Sequence, residues 1–267
     1  MIQSFNKIDK VSGTLTLPGD KSISHRALIF SALADGESEI TNLPKSDDIK
    51  STINCLKQLG IQIKEEANRT KVYGRGIKGF AKPAKPLNAG NSGTTARLLS
   101  GILAAQDFDS VIEGDASLTK RPMARIIEPL NLMGARITGS DENTLSLKFQ
   151  PSDKLHSITY EMPVKSAQVK SAIFLAGLHY DGITKVIERI PTRDHTERML
   201  GLDVEKYQIN SVISVSKTNY PIPRKYFIPA DISTSAYFIV LALWVRNTNL
   251  TILNVSLNPT RAGLLNL

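Results

Sequence analysis

The run Asp47-Asp48-Ile49-Lys50-Ser51-Thr52-Ile53-Asn54-Cys55-Leu56-Lys57-Gln58-Leu59-Gly60 carries the unit from which the rest of the chain is read. Ile49, Ile53, Leu56 and Leu59 recur at helical spacing, Ser46-Asp47-Asp48 offers a capping side chain, and Gly60 stops the helix before a strand-like stretch. The same turnover recurs at Met133-Gly134 and Leu200-Gly201, which makes the chain a repeat. Working outward, the first pass predicts a strand over 14–17, a helix over 22–34, a strand over 38–43, a helix over 47–59 and two strands around Asn68-Arg69. The second runs from Leu87 through a helix over 93–105, a strand over 110–113, a helix over 122–133 and strands over 135–138 and 144–149. The third has a strand over 157–161, a helix over 167–178, a strand over 184–190, a helix over 194–200 and a hairpin over 208–215, and a fourth opens at Lys225. The fold class is therefore α/β (α+β), built of repeated βαβαββ units about 70 residues long, longer than solenoid periods. Leu265-Asn266-Leu267 echoes Leu130-Asn131-Leu132, which precedes Met133-Gly134, so the chain is expected to stop where a fourth turnover is due and to lack a C-terminal portion.

With 267 residues, 41% of them hydrophobic, the chain can bury one large core or two smaller ones. Its longest apolar run, 238–245, falls far short of the roughly 20 residues a bilayer span needs, and the N-terminus carries no basic-then-apolar leader. The expectation is a soluble, cytoplasmic protein without a membrane partner. Cys55 is alone and sits among Ile53, Leu56 and Leu59, so it reads as helix packing. His25, His156, His179 and His195 lack paired ligand spacing, so no metal is expected. A net charge of +8 attracts anions of several kinds, from nucleic acid to phosphorylated metabolites.

The helix entrances narrow that choice. The first helices open at Asp20-Lys21-Ser22, Gly90-Asn91-Ser92-Gly93-Thr94, Lys165-Ser166-Ala167-Gln168 and Asp231-Ile232-Ser233, placing hydroxyls, amides and lysines where unpaired backbone N–H groups emerge. The second helices open at Ser46-Asp47-Asp48, Thr119-Lys120-Arg121-Pro122, Thr192-Arg193-Asp194 and Asn258-Pro259-Thr260, each with a capping side chain on offer. If the units pack symmetrically, these ends converge with Lys21, Arg26, Arg121 and Arg193 on one anion-binding face. Fixed cations dominate such a face, since a charge pair at 4 Å is worth roughly 4 kcal/mol at an effective dielectric near 20, against 0.3–1 kcal/mol for a helix dipole. Ser22, Thr94 and Ser166 serve equally as plain caps or as phosphate ligands, because both roles use the same hydroxyl.

The stretches 17–27, 90–97, 114–123, 166–172 and 192–197, continued by Pro229-Ala230-Asp231-Ile232-Ser233 and Asn258-Pro259-Thr260-Arg261, closely resemble the 5-enolpyruvylshikimate-3-phosphate synthases, in order along the whole chain. That resemblance implies transfer of the enolpyruvyl group of phosphoenolpyruvate to the 5-hydroxyl of shikimate 3-phosphate with release of phosphate. It implies no metal and no organic cofactor. It assigns Lys21, Ser22, Arg26, Ser166, Gln168 and Arg193 to shikimate 3-phosphate, and Lys21, Asn91, Gly93, Thr94, Arg121 and Gln168 to phosphoenolpyruvate. Ala167 stands where some relatives have serine. The family's catalytic Asp and Glu correspond to positions beyond Leu267, so no catalytic residue is assigned within this chain, and Asp231 is expected to be a cap.

The resemblance also implies two domains of three units, with residues 20–228 one complete domain and residues 1–19 and 229–267 part of a second, its apolar helix near 237–245 uncovered. The chain alone is then expected to bind shikimate 3-phosphate weakly without turnover, and the full-length protein to be a monomer. Three alternatives compete. A non-catalytic anion-binding fragment or subunit would pair with a separate C-terminal half. Nucleic-acid binding is opposed by 6% aromatics with none beside the basic entrances. Enolpyruvyl transfer to a nucleotide sugar is opposed by the helical setting of Cys55.

Overall fold

The computed structural model describes residues 8–266. Residues 1–7 of the predicted 1–19 segment, and Leu267 of the Leu265-Asn266-Leu267 echo, lie outside the described residues. Strands and helices alternate as β1 (Ser12–Thr16), α1 (Lys21–Leu33), β2 (Asp35–Thr41), α2 (Asp47–Gln58), β3 (Gln62–Glu65) and β4 (Arg69–Arg75). They continue as β5 (Leu87–Asn88), α3 (Gly93–Leu103), β6 (Ser110–Glu113), α4 (Ala124–Leu132), β7 (Arg136–Thr138) and β8 (Leu147–Gln150). Next come β9 (Thr159–Glu161), α5 (Ala167–Gly177), β10 (Thr184–Glu188), α6 (His195–Leu200), β11 (Asp203–Lys206) and β12 (Ser211–Val215). The described chain closes with β13 (Lys225–Phe227), α7 (Ile232–Trp244), β14 (Asn249–Leu253) and a 3-10 turn, Gly263–Asn266.

The repeat is real, and its punctuation is the helix stop read from the sequence. Gly60, Gly134 and Gly201 all adopt positive φ, at 84°, 91° and 63°. In each case the next residue donates its backbone N–H five residues back, Ile61 to Leu56, Ala135 to Leu130 and Leu202 to Glu197, at 2.9–3.1 Å. This is the left-handed cap that satisfies the last helical carbonyls and aims the chain into a strand.

Three four-stranded sheets result, ordered β13-β2-β4-β3, β5-β6-β8-β7 and β9-β10-β12-β11. In each, the first pair is parallel and the other two pairs are antiparallel. Here the structure corrects two expectations. The strand predicted over 14–17 does not join the first unit's sheet, because β1 pairs in parallel with β14, in register Ser12 with Asn249 through Thr16 with Leu253. Its place beside β2 is taken by β13, expected to open a fourth unit. The two chain segments cross where Gly19 passes Ile228: a Cβ on Gly19 would stand 2.3 Å from the Asn42 carbonyl oxygen and 2.6 Å from Ile228 Cγ2. Backbone bonds from Asp20 to Pro229 (2.7 Å) and from Asp231 to Pro18 (3.1 Å) fasten the crossing.

Helices α1, α3 and α5 are buried around nearly their whole circumference and form the centre of the core, together with the inward faces of the sheets. Apolar residues dominate their later turns, and the polar side chains they bury, such as Arg26, Arg97 and Lys170, find partners there. Helix α7 is more apolar than any of them, yet only Ile232 and Ser235 are buried, while Tyr237, Leu243 and Trp244 are 80%, 77% and 86% exposed. Among the described residues no helix is long and apolar enough to cross a membrane.

Candidate anion-binding site

Helices α1, α3 and α5 turn their N-terminal ends towards one another, and polar side chains close those ends into a ring. Between α1 and α3, His25 Nδ1 and Thr52 Oγ1 lie 2.7 Å apart, Thr52 Oγ1 and Thr95 Oγ1 2.7 Å, and the Thr95 hydroxyl donates to Ser92 Oγ at 2.7 Å. Between α3 and α5, Gln168 Nε2 donates to Thr94 Oγ1 at 2.9 Å and Arg97 Nη1 donates to Gln168 Oε1 at 2.7 Å. Between α5, α6 and α1, Arg26 donates through Nε to Thr196 Oγ1 at 2.7 Å and through Nη2 to Ser171 Oγ at 2.8 Å, and Arg193 Nη1 reaches Ser22 Oγ at 3.4 Å. Arg26 and Arg193 thus meet at Ser22, while Gln168, on the same helix as Ser171, bonds across to α3.

The double reading of the hydroxyls resolves by position. Asp20, Ser92 and Ser166 are the caps of α1, α3 and α5, accepting from the backbone N–H groups of Ile23, Thr95 and Val169. Ser22, Thr94 and Gln168 each sit at the second helical residue, with their side chains spent on neighbouring segments rather than on capping: Thr94 and Gln168 on each other, Ser22 on Arg193 in the loop before α6. Asp231 caps α7 through Ser233, as expected. The second helices depart from the prediction: Ser46 and Asp194 stand at the cap position without a capping bond, and α4 starts after Met123. Asp194 is drawn off by Asn258, Thr260 and Arg198, so its carboxylate anchors the 258–260 segment, which forms no α-helix.

Charge gathers at the same ends. Lys21 pairs with Asp48 at 2.7 Å and stays half exposed. Asn91 is held between Asp115 and Arg121. A Cβ on Gly93 would stand 2.9 Å from Arg97 Nη1 and 3.4 Å from Arg121 Nη1, so glycine lets both guanidinium groups close on the start of α3. Arg97 is buried, its Nε has no partner among the described residues, and burial first, then the like charges of Arg125 and Arg121, bring its pKa down to about 10. Burial likewise lowers Arg26 to about 10, and burial followed by Arg261 lowers Arg193. All three remain cationic near neutrality, in surroundings that disfavour the charge until an anion arrives.

Beside this cluster lies a pocket of about 400 Å³ whose wall includes Arg125, Lys165, Ser166, Gln168, Thr192 and Arg193, with no carboxylate among its lining residues. Its size lies within the usual range for metabolite sites. Of the larger cavities, those of about 750 and 820 Å³ carry Glu65 and Glu66, or Glu188 and Glu197, on their walls and suit an anion less well, and one of about 470 Å³ offers Lys57 as its single cation. Ser166, Gln168 and Arg193 share the small pocket. Ser22 connects to it through Arg193. Asn91, Gly93, Thr94 and Arg121 gather at the α3 end, linked through Gln168. Arg26 lies behind Ser22, its guanidinium donating to that residue's carbonyl at 2.9 Å. Sequence reading missed Arg97 and Arg125, although Arg97 follows Gly93 by four on α3 and so shares its helix face, and Arg125 sits in the first turn of α4, just beyond Arg121.

The family model described as EPSP synthase (3-phosphoshikimate 1-carboxyvinyltransferase) matches residues 5–267. The chain belongs to the EPSP synthase family. It is 49% identical over 256 residues to the 3-phosphoshikimate 1-carboxyvinyltransferase of Leuconostoc citreum, covering 95% of this chain and 59% of that protein. It is 45% identical over 267 residues to that of Salinibacter ruber, covering 99% and 62%. An EPSP synthase structure from Acinetobacter baumannii superposes with a TM-score of 0.89 at 42% identity, covering 98% of this chain and 59% of that one. Against these EPSP synthases the chain spans about three fifths of the full length.

Proposed function

We propose that this chain supplies the shikimate-3-phosphate site of an enolpyruvyl transferase, and that residues 20–228 form the domain that holds it. The reaction joins the 5-hydroxyl of shikimate 3-phosphate to the central carbon of phosphoenolpyruvate as the methylene carbon takes up a proton; loss of phosphate and of a proton then restores the vinyl group. The carrying observation is the 400 Å³ pocket with Arg125, Lys165 and Arg193 on its wall and no carboxylate. Ser166, Gln168 and Arg193 would hold the phosphorylated ring, with Lys21, Ser22 and Arg26 beside them. Lys21, Asn91, Gly93, Thr94, Arg121 and Gln168 would receive phosphoenolpyruvate at the α3 end. Both substrates bring a carboxylate and a phosphate of about −1.5 to −2, which calls for cations in this density. A cytoplasmic address, a monomeric full-length state and the absence of nucleic-acid partners belong to the same reading.

The lining of this pocket offers no carboxylate to move the reaction's protons, so the chain by itself is expected to bind and not to turn over. Calorimetric titration with shikimate 3-phosphate, run beside a phosphate-release assay, tests both parts. Saturable binding without release supports the reading. Absence of binding, with none regained on adding phosphoenolpyruvate, would overturn it. The exposed apolar face of α7 favours a second reading, a subunit completed by a separate polypeptide, and size-exclusion chromatography with a co-expressed C-terminal half distinguishes the two.

A further inference from the structure

Behind the pocket, on the far side of α5, a buried ionic cluster takes no part in the reading above. Lys170 is 1% exposed, and its ammonium pairs with Glu188 Oε2 at 2.9 Å and with Glu197 Oε1. The same Glu188 oxygen accepts the Thr192 hydroxyl at 3.0 Å. An ammonium and two carboxyl groups buried together are a costly arrangement where apolar packing could have served. What it secures lies one residue further along the chain. Thr192 precedes Arg193, and Glu197 follows Thr196, whose hydroxyl takes the Arg26 Nε–H. Lys170 follows Gln168 by two residues, so one helix sends Gln168 to the pocket and Lys170 to the rear. One ammonium therefore ties the pocket-lining helix to the segment that carries Arg193 and to the helix turn that orients Arg26.

We infer that Lys170, Glu188 and Thr192 are positioning residues for Arg193, setting the pocket's affinity for a phosphorylated ligand through the Thr192 hydroxyl bond to Glu188. The inference rests on the pocket being the shikimate 3-phosphate site, and the test keeps the two apart. In the full chain, Thr192→Val removes the hydroxyl and keeps the shape. Its affinity for shikimate 3-phosphate by calorimetry is expected to fall about tenfold, the scale of one lost hydrogen bond, with the melting temperature nearly unchanged. Thr192→Ser is expected to restore it. If the hydroxyl acts through Glu188, Thr192→Val adds nothing on a Glu188→Leu background, whereas a direct ligand contact gives additive losses. Arg193 Nε–Hε relaxation by NMR supplies a ligand-free readout: ordered in the parent chain and in Thr192→Ser, mobile in Thr192→Val. Parent-like affinity in Thr192→Val, or additivity in the double variant, overturns the inference. Should the parent chain not bind shikimate 3-phosphate, the pocket reading falls, and Arg193 order in Thr192→Val alone decides whether the cluster positions it. Should Glu188→Leu fail to fold, the Thr192 pair and the relaxation data still decide.

Discussion

Replacing Ser166 by aspartate separates two duties that one hydroxyl performs. Ser166 Oγ accepts the Val169 backbone N–H at 3.3 Å, and Val169 is 2% exposed, so that N–H has no route to solvent if the cap is lost. Ser166→Ala therefore strands a buried donor and costs about 1–2 kcal/mol, a fall of about 3–6 °C in melting temperature for a chain of this size. Aspartate caps as well as serine and favours the positive helix end, so Ser166→Asp should melt within about 1–2 °C of the parent. It also sets a carboxylate into the pocket beside Gln168 and Arg193. A like-charge pair at 4 Å costs about 4 kcal/mol at an effective dielectric of 20 and about half that in a water-filled pocket, so shikimate 3-phosphate binding should weaken about 30-fold or more. Thermal unfolding and calorimetry on the two variants give opposite patterns, Ala unstable and Asp non-binding. If Ser166→Asp binds shikimate 3-phosphate as tightly as the parent, the pocket is not a phosphate site; if Ser166→Ala melts unchanged, the cap does not matter.

Stability should also depend on pH through two buried histidines, His25 and His195, and the half-buried His179. Burial lowers His25 to about 3 and His179 and His195 to about 4, so the folded chain holds them neutral while the unfolded chain protonates them near 6.5. Their contribution is complete above pH 6.5 and is lost as pH falls towards 4, at up to about 1.4 kcal/mol per pH unit for each; urea midpoints between pH 7.5 and 4.5 should show this slope, and His25→Gln should flatten it. Burial pushes the Cys55 thiol up to about 12, so Ellman's reagent should find no reactive thiol at pH 8 until denaturant is added; rapid labelling of the native chain contradicts this setting. Gly201→Ala meets open space and should cost only the left-handed strain of about 1–2 kcal/mol, whereas Gly134→Ala also drives a Cβ to 2.2 Å from the Lys154 carbonyl oxygen and should cost clearly more in chemical denaturation.

The parts of the site that were legible are those whose chemistry is local. A serine, asparagine, glycine or lysine at a helix start declares itself, because the unpaired N–H groups it serves lie within three residues. Arg97 and Arg125 were not legible by that rule, since their role depends on tertiary packing: burial first, and then the like charge of Arg125 on α4, raises the cost of charging Arg97. Thr52, Thr95 and Ser171 look like ordinary helical hydroxyls; only the packing of α1 against α2, α3 and α5 turns them into links between entrances. Asp194 shows the reverse failure. Its position reads as a cap, and a segment 64 residues away takes its carboxylate instead.

The fold divides along the same line. Helix periods and the three glycine stops are local, and they put helix α2 and the β6 strand at or within a residue of their observed bounds. Strand partners are not local. β1 and β13 are both short, alternating and followed by a helix within a few residues, so sequence order assigns β1 to the first sheet. Physically, that sheet needs a parallel neighbour for β2, and the loop from β1 to α1 passes Gly19 with no room for a side chain, close against Ile228 and the Asn42 carbonyl. That passage carries β1 to the other side of the crossing, where it pairs with β14, and leaves the parallel edge of β2 to β13. The exchange fixes the start of α1, because Asp20 caps the helix one residue beyond the crossing while its own backbone bonds Pro229. Lys21 and Ser22, the first side chains of the proposed substrate site, are therefore held by the same backbone bonds that route the chain between its sheets.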